Sequence, residues 1–352
     1  MPARPSDSST GTTERGAAWA RFSDERLLDL RLCDLGLHIR GTALEARIRD
    51  LGDELGKAEL RFRPYVWLST DWFTPDGHTG FAVPFYLAHP RLAHLERRQM
   101  YAVEGGSYDE CMRLLRHESG HAIDNAYRLH WRKRWREHFG RASQPYRWSY
   151  VPDPESRTHV MNLDNWYAQS HPVEDFAESF AVWLRPGERW RVQYAEWPEA
   201  LRKLWFVDAL MEEIADRKPV VRTLARPESL GGLRMTLREY YQRKKAFYGE
   251  FDDSVFDRDL LRLFTDEPAF SGRRTAAALL RDRRRELRSR VAHWTGQYAF
   301  VVDEVLQGMI RRSRELRLKV CYSERETLQD AAIVLTTHTM RHIRGGYREY
   351  QR

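Results

Sequence analysis

The sequence predicts an α+β fold: a small sheet above long helices, followed by a mainly helical C-terminal extension. Three observations carry that reading. Apolar residues recur at helical spacing over much of the chain, two strand-like stretches lie close together at residues 61–70 and 80–90, and the last third is Arg-rich and mostly helical in pattern. At 352 residues the chain exceeds one ordinary domain and falls short of three. The expected divisions are a disordered tail over 1–20, a main domain over 21–217, a linker over 218–232 and a basic extension over 233–352.

Composition narrows the class. With 42% hydrophobic and 12% aromatic residues the chain can build a large core. No apolar run is long enough to span a membrane, and the polar start MPARPSDSSTGTTERG lacks the apolar segment of a secretory signal, so a cytoplasmic location is expected. Cys33, Cys111 and Cys321 are widely separated and form no CxxC pair, which argues against a disulfide framework or a thiolate metal site. The formal charge of +7 is uneven, with 18 Lys and Arg against 9 Asp and Glu from residue 271 onward.

Taken in order, FSDERLLDLRLCDLG reads as a helix capped by Ser23, and GTALEARIRDLGDELGKAEL as a second. RFRPYVWLST (61–70) shifts to a β-rich pattern, Pro75-Asp76-Gly77 signals a turn, and GFAVPFYLAHP (80–90) reads as a second strand. Pro84 demotes that strand to a sheet edge, where a peptide could add by β-augmentation. Ser107 and Glu110 form an S-x-x-E cap before a long helix expected over 108–138. After a proline-rich loop, Ser170 or His171 caps a helix that starts at Pro172 and ends before Arg185-Pro186-Gly187. Another helix is expected over 198–217.

Within the long helix, residues 114–124 read LLRHESGHAID. Chance alone places two histidines four apart around a glutamate in about 4% of chains of this composition, so the pattern needs independent support. Helical spacing puts His117 and His121 on one face, one turn apart, with Glu118 on the adjoining face. A catalytic zinc takes three protein ligands and leaves a position for water. In VEDFAESF (173–180), Glu174 and Glu178 share a face of the second helix. Glu174 is therefore read as the third ligand, and Glu178 as the acceptor of a ligating histidine's free ring N–H. One Zn2+ per chain is the expected cofactor. Glu118 is then the base that takes a proton from the activated water. For the charge that develops on an attacked amide oxygen, Tyr167 is the best-placed donor and His171 its competitor.

These residues also carry a resemblance. H-E-x-x-H followed after roughly fifty residues by E-D-F-A-E is similar to the glutamate-zincin (gluzincin) metallopeptidases. It resembles in particular a bacterial family of zinc-binding metallopeptidases whose pattern includes R-H-E-x-G-H and S-H-P-x-E-D-F-A-E. This chain reads Arg116-His117-Glu118-Ser119-Gly120-His121 and Ser170-His171-Pro172-Val173-Glu174-Asp175-Phe176-Ala177-Glu178. The similarity extends from about residue 24 through LLDLRLCDLGL, FAVPFYLAHPRL and WYAQSHP to the Glu174 helix. More distantly, the spacing of Tyr167, Glu174 and Glu178 is similar to that in the catalytic domain of anthrax lethal factor. The resemblance implies a zincin-like peptidase domain with ligands His117, His121 and Glu174, base Glu118, and Tyr167 assisting catalysis. It supplies no substrate.

The expected function is hydrolysis of a peptide or related amide bond by metal-activated water. Two rivals are a zinc hydrolase of a non-peptide amide and a non-catalytic, metal-stabilised module whose basic tail binds an anion. His338 and His342 share the i,i+4 spacing but have no glutamate between them, which weakens a second metal site. Trp131, Trp135, Trp148, Trp166, Trp183 and Trp190 could line a groove, though core packing is the simpler reading. The Arg281-Asp282-Arg283-Arg284-Arg285 run could meet nucleic-acid phosphates near Trp294 and Tyr298. Interleaved acids (Asp282, Glu286, Asp303, Glu304) favour a solvated helix face, so nucleic acid is not the expected partner.

Overall fold

The computed structural model describes residues 17–146, 150, 152–187, 189–247 and 253–345. Residues 1–16 of the expected tail, Trp148 and the His342 side chain lie outside the described residues. Ala18–Arg21, which straddle the expected tail boundary at residue 20, form a 3-10 turn that buries Trp19, whose Nε1 donates to the Leu35 carbonyl at 2.9 Å. The helices in order are α1 (Asp24–Leu28), α2 (Ala43–Lys57), α3 (Pro90–Met100), α4 (Tyr108–Tyr127), α5 (Lys133–Phe139), α6 (Pro172–Leu184), α7 (Trp190–Gln193) and α8 (Pro198–Ile214). They continue with α9 (Leu237–Phe247), α10 (Asp257–Leu263), α11 (Ala276–Asp282), α12 (Arg284–Thr295), α13 (Ala299–Glu315) and α14 (Glu324–Gly345). Strands β1 (Tyr65–Ser69) and β2 (Gly80–Pro84) complete an α+β fold dominated by helix. Among the described residues, no helix is long and apolar enough to cross a membrane.

β1 and β2 pair in parallel, Tyr65 opposite Gly80 through Ser69 opposite Pro84. The connecting segment passes along β2's other side, where Ala82 N–H donates to the Phe73 carbonyl at 2.8 Å. The edge expected to lie open at the Pro84 strand is thus partly covered. β1 is strapped by the segment that follows α8. Tyr65 OH, Trp67 Nε1 and Ser69 Oγ, alternate residues on one strand face, donate to the carbonyls of Ala225, Pro227 and Glu228.

Three element boundaries differ from expectation. The helix read over 22–36 ends at Leu28, and Leu32–Leu35 form a separate 3-10 turn. Strand character stops at Pro84, and Pro90 instead opens α3, capped by His89, whose Nδ1 accepts Arg91 N–H at 3.0 Å. The run over 108–138 is also broken. α4 ends at Tyr127, Arg128 turns left-handed (φ 51°), and Asp124 accepts both His130 N–H and His130 Nδ1 at 2.8 Å, which folds the chain back before α5. A side-chain cap inside the helical pattern overrides its continuity.

α4 and α6 pass through the centre of the main core and are buried nearly all round. They cross at Gly120, where a Cβ would meet Ala177 Cα at 2.8 Å, so glycine is what allows this approach. α2 braces the far side: Arg116 on α4 makes a buried bidentate pair with Glu54, both contacts at 2.7 Å. α9 contributes Leu237, Tyr240 and Tyr241 to the same core.

From Phe256 to Leu335 a second core forms around Leu260, Leu280, Val302, Leu306 and Met309. Several of its arginines are engaged with acids: Arg284 and Arg288 both reach the buried Asp303, and Arg283 reaches Glu324. Arg288 also stacks on Tyr101 of the main body, 4.2 Å from the ring centroid, and Phe300 stacks on the same tyrosine. The three cysteines are free.

Candidate metal centre

His117 and His121 project from the middle of α4 toward α6, where Glu174 occupies the first turn. His171 starts that turn: its Nδ1 accepts Val173 N–H at 3.3 Å, and Pro172 fills the first helical position. Of the two caps considered from sequence, His171 is the one used.

Three donor atoms meet in a nearly equilateral triangle. His117 Nε2 to His121 Nε2, His121 Nε2 to Glu174 Oε2, and His117 Nε2 to Glu174 Oε2 are each 3.1 Å. Three corners of a tetrahedron with bonds of ~2.0–2.1 Å lie about 3.3–3.4 Å apart, so the triangle already has nearly the dimensions of a metal-ligand set. Among the described residues, this is the group of His, Cys, Asp or Glu side chains whose donor atoms cluster closely enough to hold a metal ion.

The donors are oriented from behind. His117 Nδ1–H donates to Glu178 Oε1 at 2.8 Å, which leaves the Nε2 lone pair aimed into the triangle. Glu178 is fully buried and also accepts Asn162 Nδ2 and Leu163 N–H, each at 2.8 Å. Glu174 Oε1, the oxygen outside the triangle, accepts Tyr146 OH at 3.0 Å. Tyr146 in turn stacks on His171 with centroids 3.8 Å apart.

Glu118 is buried beside the triangle, and Thr74 Oγ1 donates to its Oε2 at 2.8 Å. The Tyr167 ring packs near His117, with centroids 5.7 Å apart. His171, its competitor as a donor, is engaged at both ring nitrogens, with Nε2 donating to the Gln144 carbonyl at 2.8 Å in addition to the cap. A second phenol, Tyr150, donates to the Asn165 carbonyl at 2.9 Å. Burial, then the charges of Glu178 and Glu174, hold its pKa well above the ordinary tyrosine value.

Behind α6, burial raises Asp175 to about 7 even though Lys203 Nζ lies at 2.6 Å from it. Nearby His159 is lowered to about 4 by burial and by the Lys203 charge. This cluster ties α6 to α8.

The triangle opens onto a cleft of about 2340 Å3. One rim is the β1–β2 connection, residues 70–77; Trp131 and Trp166 lie along the walls, and Gly296, Gln297, Tyr298 and Ala299 of the C-terminal unit close one side. Trp135 and Trp190, by contrast, are core residues.

Comparison of the chain with family models, curated proteins and solved structures finds no match.

Of the sequence-derived site residues, His117, His121 and Glu174 bring their donor atoms together, Glu178 holds His117 from behind, Glu118 follows His117 on α4, and the Tyr167 ring lies 5.7 Å from that of His117. His171 supports the neighbouring helix turn, and His338 lies elsewhere, buried against Asp259 at 3.0 Å. Thr74, Tyr146, Tyr150 and Asn162 were missed. Each sits in a loop and reaches its partner across sequence separations that no local pattern reports. The turn signal Pro75-Asp76-Gly77 next to Thr74 and the proline-rich stretch around Tyr146 and Tyr150 mark loops without showing what those side chains reach.

Proposed function

We propose that the chain is a zinc-dependent hydrolase with a zincin-like fold that cleaves peptide or related amide bonds. The observation that carries this is the triangle of His117 Nε2, His121 Nε2 and Glu174 Oε2 with 3.1 Å edges, set beside buried Glu118 at an open cleft. Two imidazole nitrogens and one carboxylate oxygen at tetrahedral corners suit Zn2+, and three protein ligands with an open side match a catalytic rather than a closed structural site.

A bound zinc ion supplies Lewis acidity, which acidifies water and polarises a carbonyl. Everything else is assigned to side chains. Glu118, oriented by the Thr74 hydroxyl, takes a proton from the attacking water. As the water oxygen bonds to the carbonyl carbon and the C–N bond breaks, Glu118 passes that proton to the departing nitrogen. Tyr167 donates its hydroxyl to the oxygen on which charge builds. Occupation of both His171 nitrogens supports Tyr167 over His171 in that role. Small-molecule sites are usually ~300–1,000 Å3. The cleft here, about 2340 Å3, favours an extended substrate such as a polypeptide.

The test is metal analysis and turnover of a diverse peptide library by wild type and Glu118→Gln. Wild type should carry about one zinc per chain and cleave peptides. The variant should keep its zinc and lose at least ~100-fold in kcat, because Glu118 is not a ligand. Wild type purified without stoichiometric metal, or full activity in the variant, would overturn the proposal.

A further inference from the structure

We infer that the C-terminal helical unit completes the hydrolytic site by clasping Asn165, which makes Asn165 and Gln297 positioning residues for Tyr167. The inference rests on the hydrolase reading above and adds a role for the extension.

Tyr167 follows two consecutive residues in the left-handed backbone region, Asn165 (φ 61°, ψ 25°) and Trp166 (φ 52°, ψ 45°). Asparagine tolerates that conformation; tryptophan, with a bulky side chain and no local hydrogen bond to offer, does so poorly. Such a kink persists only where its surroundings over-determine it. Here they do. On the upstream side, Glu178 accepts Asn162 Nδ2 and Leu163 N–H, and Arg113 on α4 donates to the Asn162 carbonyl at 3.2 Å. At the kink itself, Tyr150 OH donates to the Asn165 carbonyl.

The remaining contacts come from more than a hundred residues downstream. The turn between α12 and α13 presents Gly296 and Gln297 to the Asn165 side chain. Gln297 Nε2 donates to Asn165 Oδ1 at 2.8 Å, and Asn165 Nδ2 donates to the Gly296 carbonyl at 3.3 Å. Gly296 is itself left-handed (φ +65°), and a Cβ there would lie 3.3 Å from Asp164 Cβ and 3.4 Å from Asn165 Oδ1. Glycine at this point both makes the turn and admits the close approach.

Both polar ends of the Asn165 amide are therefore used by the C-terminal unit, and the backbone they hold leads directly to the phenol facing His117. Without the clasp, Asn165 and Trp166 would relax toward ordinary negative φ, and the chain direction into Tyr167 would change. The metal ligands come from α4 and α6, so they would stay in place. Loss of the clasp should consequently lower turnover without releasing metal.

The test uses the full-length, zinc-loaded chain with Gln297→Ala, Asn165→Gly and Asn165→Asp. Asn165→Gly keeps the left-handed backbone accessible while deleting the clasping side chain; Asn165→Asp keeps the acceptor for Gln297. Gln297→Ala and Asn165→Gly should lower kcat by about 10- to 100-fold with KM, zinc content and melting temperature near wild type. Asn165→Asp should retain activity within about 3-fold. In a Tyr167→Phe background, Gln297→Ala should cost less than about 2-fold, because the group it positions is gone. Independently of activity, amide hydrogen exchange over residues 164–170 should quicken in Gln297→Ala while α4 and α6 stay protected. An equal loss in the Tyr167→Phe background, or unchanged exchange over 164–170, overturns the clasp. A wild type that cleaves no peptide sinks the hydrolase reading alone, and the exchange measurement still decides whether the clasp exists.

Discussion

Replacing Glu178 by glutamine changes one atom and should weaken the metal site without removing a ligand. The carboxylate accepts three hydrogen bonds at 2.8 Å, from His117 Nδ1 and Asn162 Nδ2 on Oε1 and from Leu163 N–H on Oε2. An amide has only one acceptor oxygen. If that oxygen takes the Oε1 position, the new NH2 faces the Leu163 N–H; if it takes the Oε2 position, the NH2 faces two donors at once. At least one buried donor is left without an acceptor in either orientation, a cost of about 1–3 kcal/mol to the metal-free fold. In the proposed zinc site His117 also loses an anionic partner that raises its basicity, and changes of this kind weaken metal binding by about 10- to 100-fold. That corresponds to about 1.4–2.8 kcal/mol of binding free energy. Competition for zinc against a chromophoric chelator measures the affinity, and denaturant unfolding of the metal-free chain measures the stability. A zinc Kd equal to that of wild type would refute the argument that Glu178 holds His117 in its ligating orientation.

Other perturbations follow from the same geometry. Gly120→Ala gains about 1 kcal/mol of helix propensity. It nevertheless drives a methyl to 2.8 Å from Ala177 Cα on a backbone that cannot yield, so a net loss of stability and weaker zinc binding are expected, read as lower melting temperature and higher Kd. A raised melting temperature with unchanged Kd would show the α4–α6 crossing to be loose. Tyr146→Phe removes the donor to Glu174 Oε1 and should weaken zinc binding by about 3- to 10-fold, with little effect on melting of the metal-free chain. His159 titrates near 4 in the folded chain against an ordinary value of 6.5. Between those two values the unfolded chain binds the extra proton, so this histidine makes stability fall as pH drops from 6.5 toward 4. Melting temperature followed across that window should fall less in His159→Gln than in wild type, and parallel curves would remove His159 as the cause.

Local signals carried much of the site. The Ser107 cap set the start of α4, where its Oγ accepts Glu110 N–H at 3.2 Å, and Pro172 set the start of α6. Once those helices were in register, the spacings His117–His121 and Glu174–Glu178 followed from helical geometry alone. Signals failed where a side chain redirects the backbone. Asp124 stops α4 by accepting from His130, and His89 caps α3 inside what reads as a continuing strand. Asp124 is one of several polar residues on its helix, and the helical period does not tell which of them turns the chain back; His89-Pro90 has the same form as the His171-Pro172 cap, but the apolar run before it reads as strand.

The amino-acid sequence by itself determined the donor set and which donors share a helix face, because intrahelical hydrogen bonds impose that spacing wherever the helix lies. Only the tertiary structure decided that the two faces meet. Gly120 and Ala177 bring α4 and α6 close enough to form the donor triangle, while from distant loops Tyr146 reaches Glu174, Thr74 reaches Glu118 and the Gly296–Gln297 turn reaches Asn165. These contacts depend on packing between segments far apart in the chain, and packing leaves no period to read.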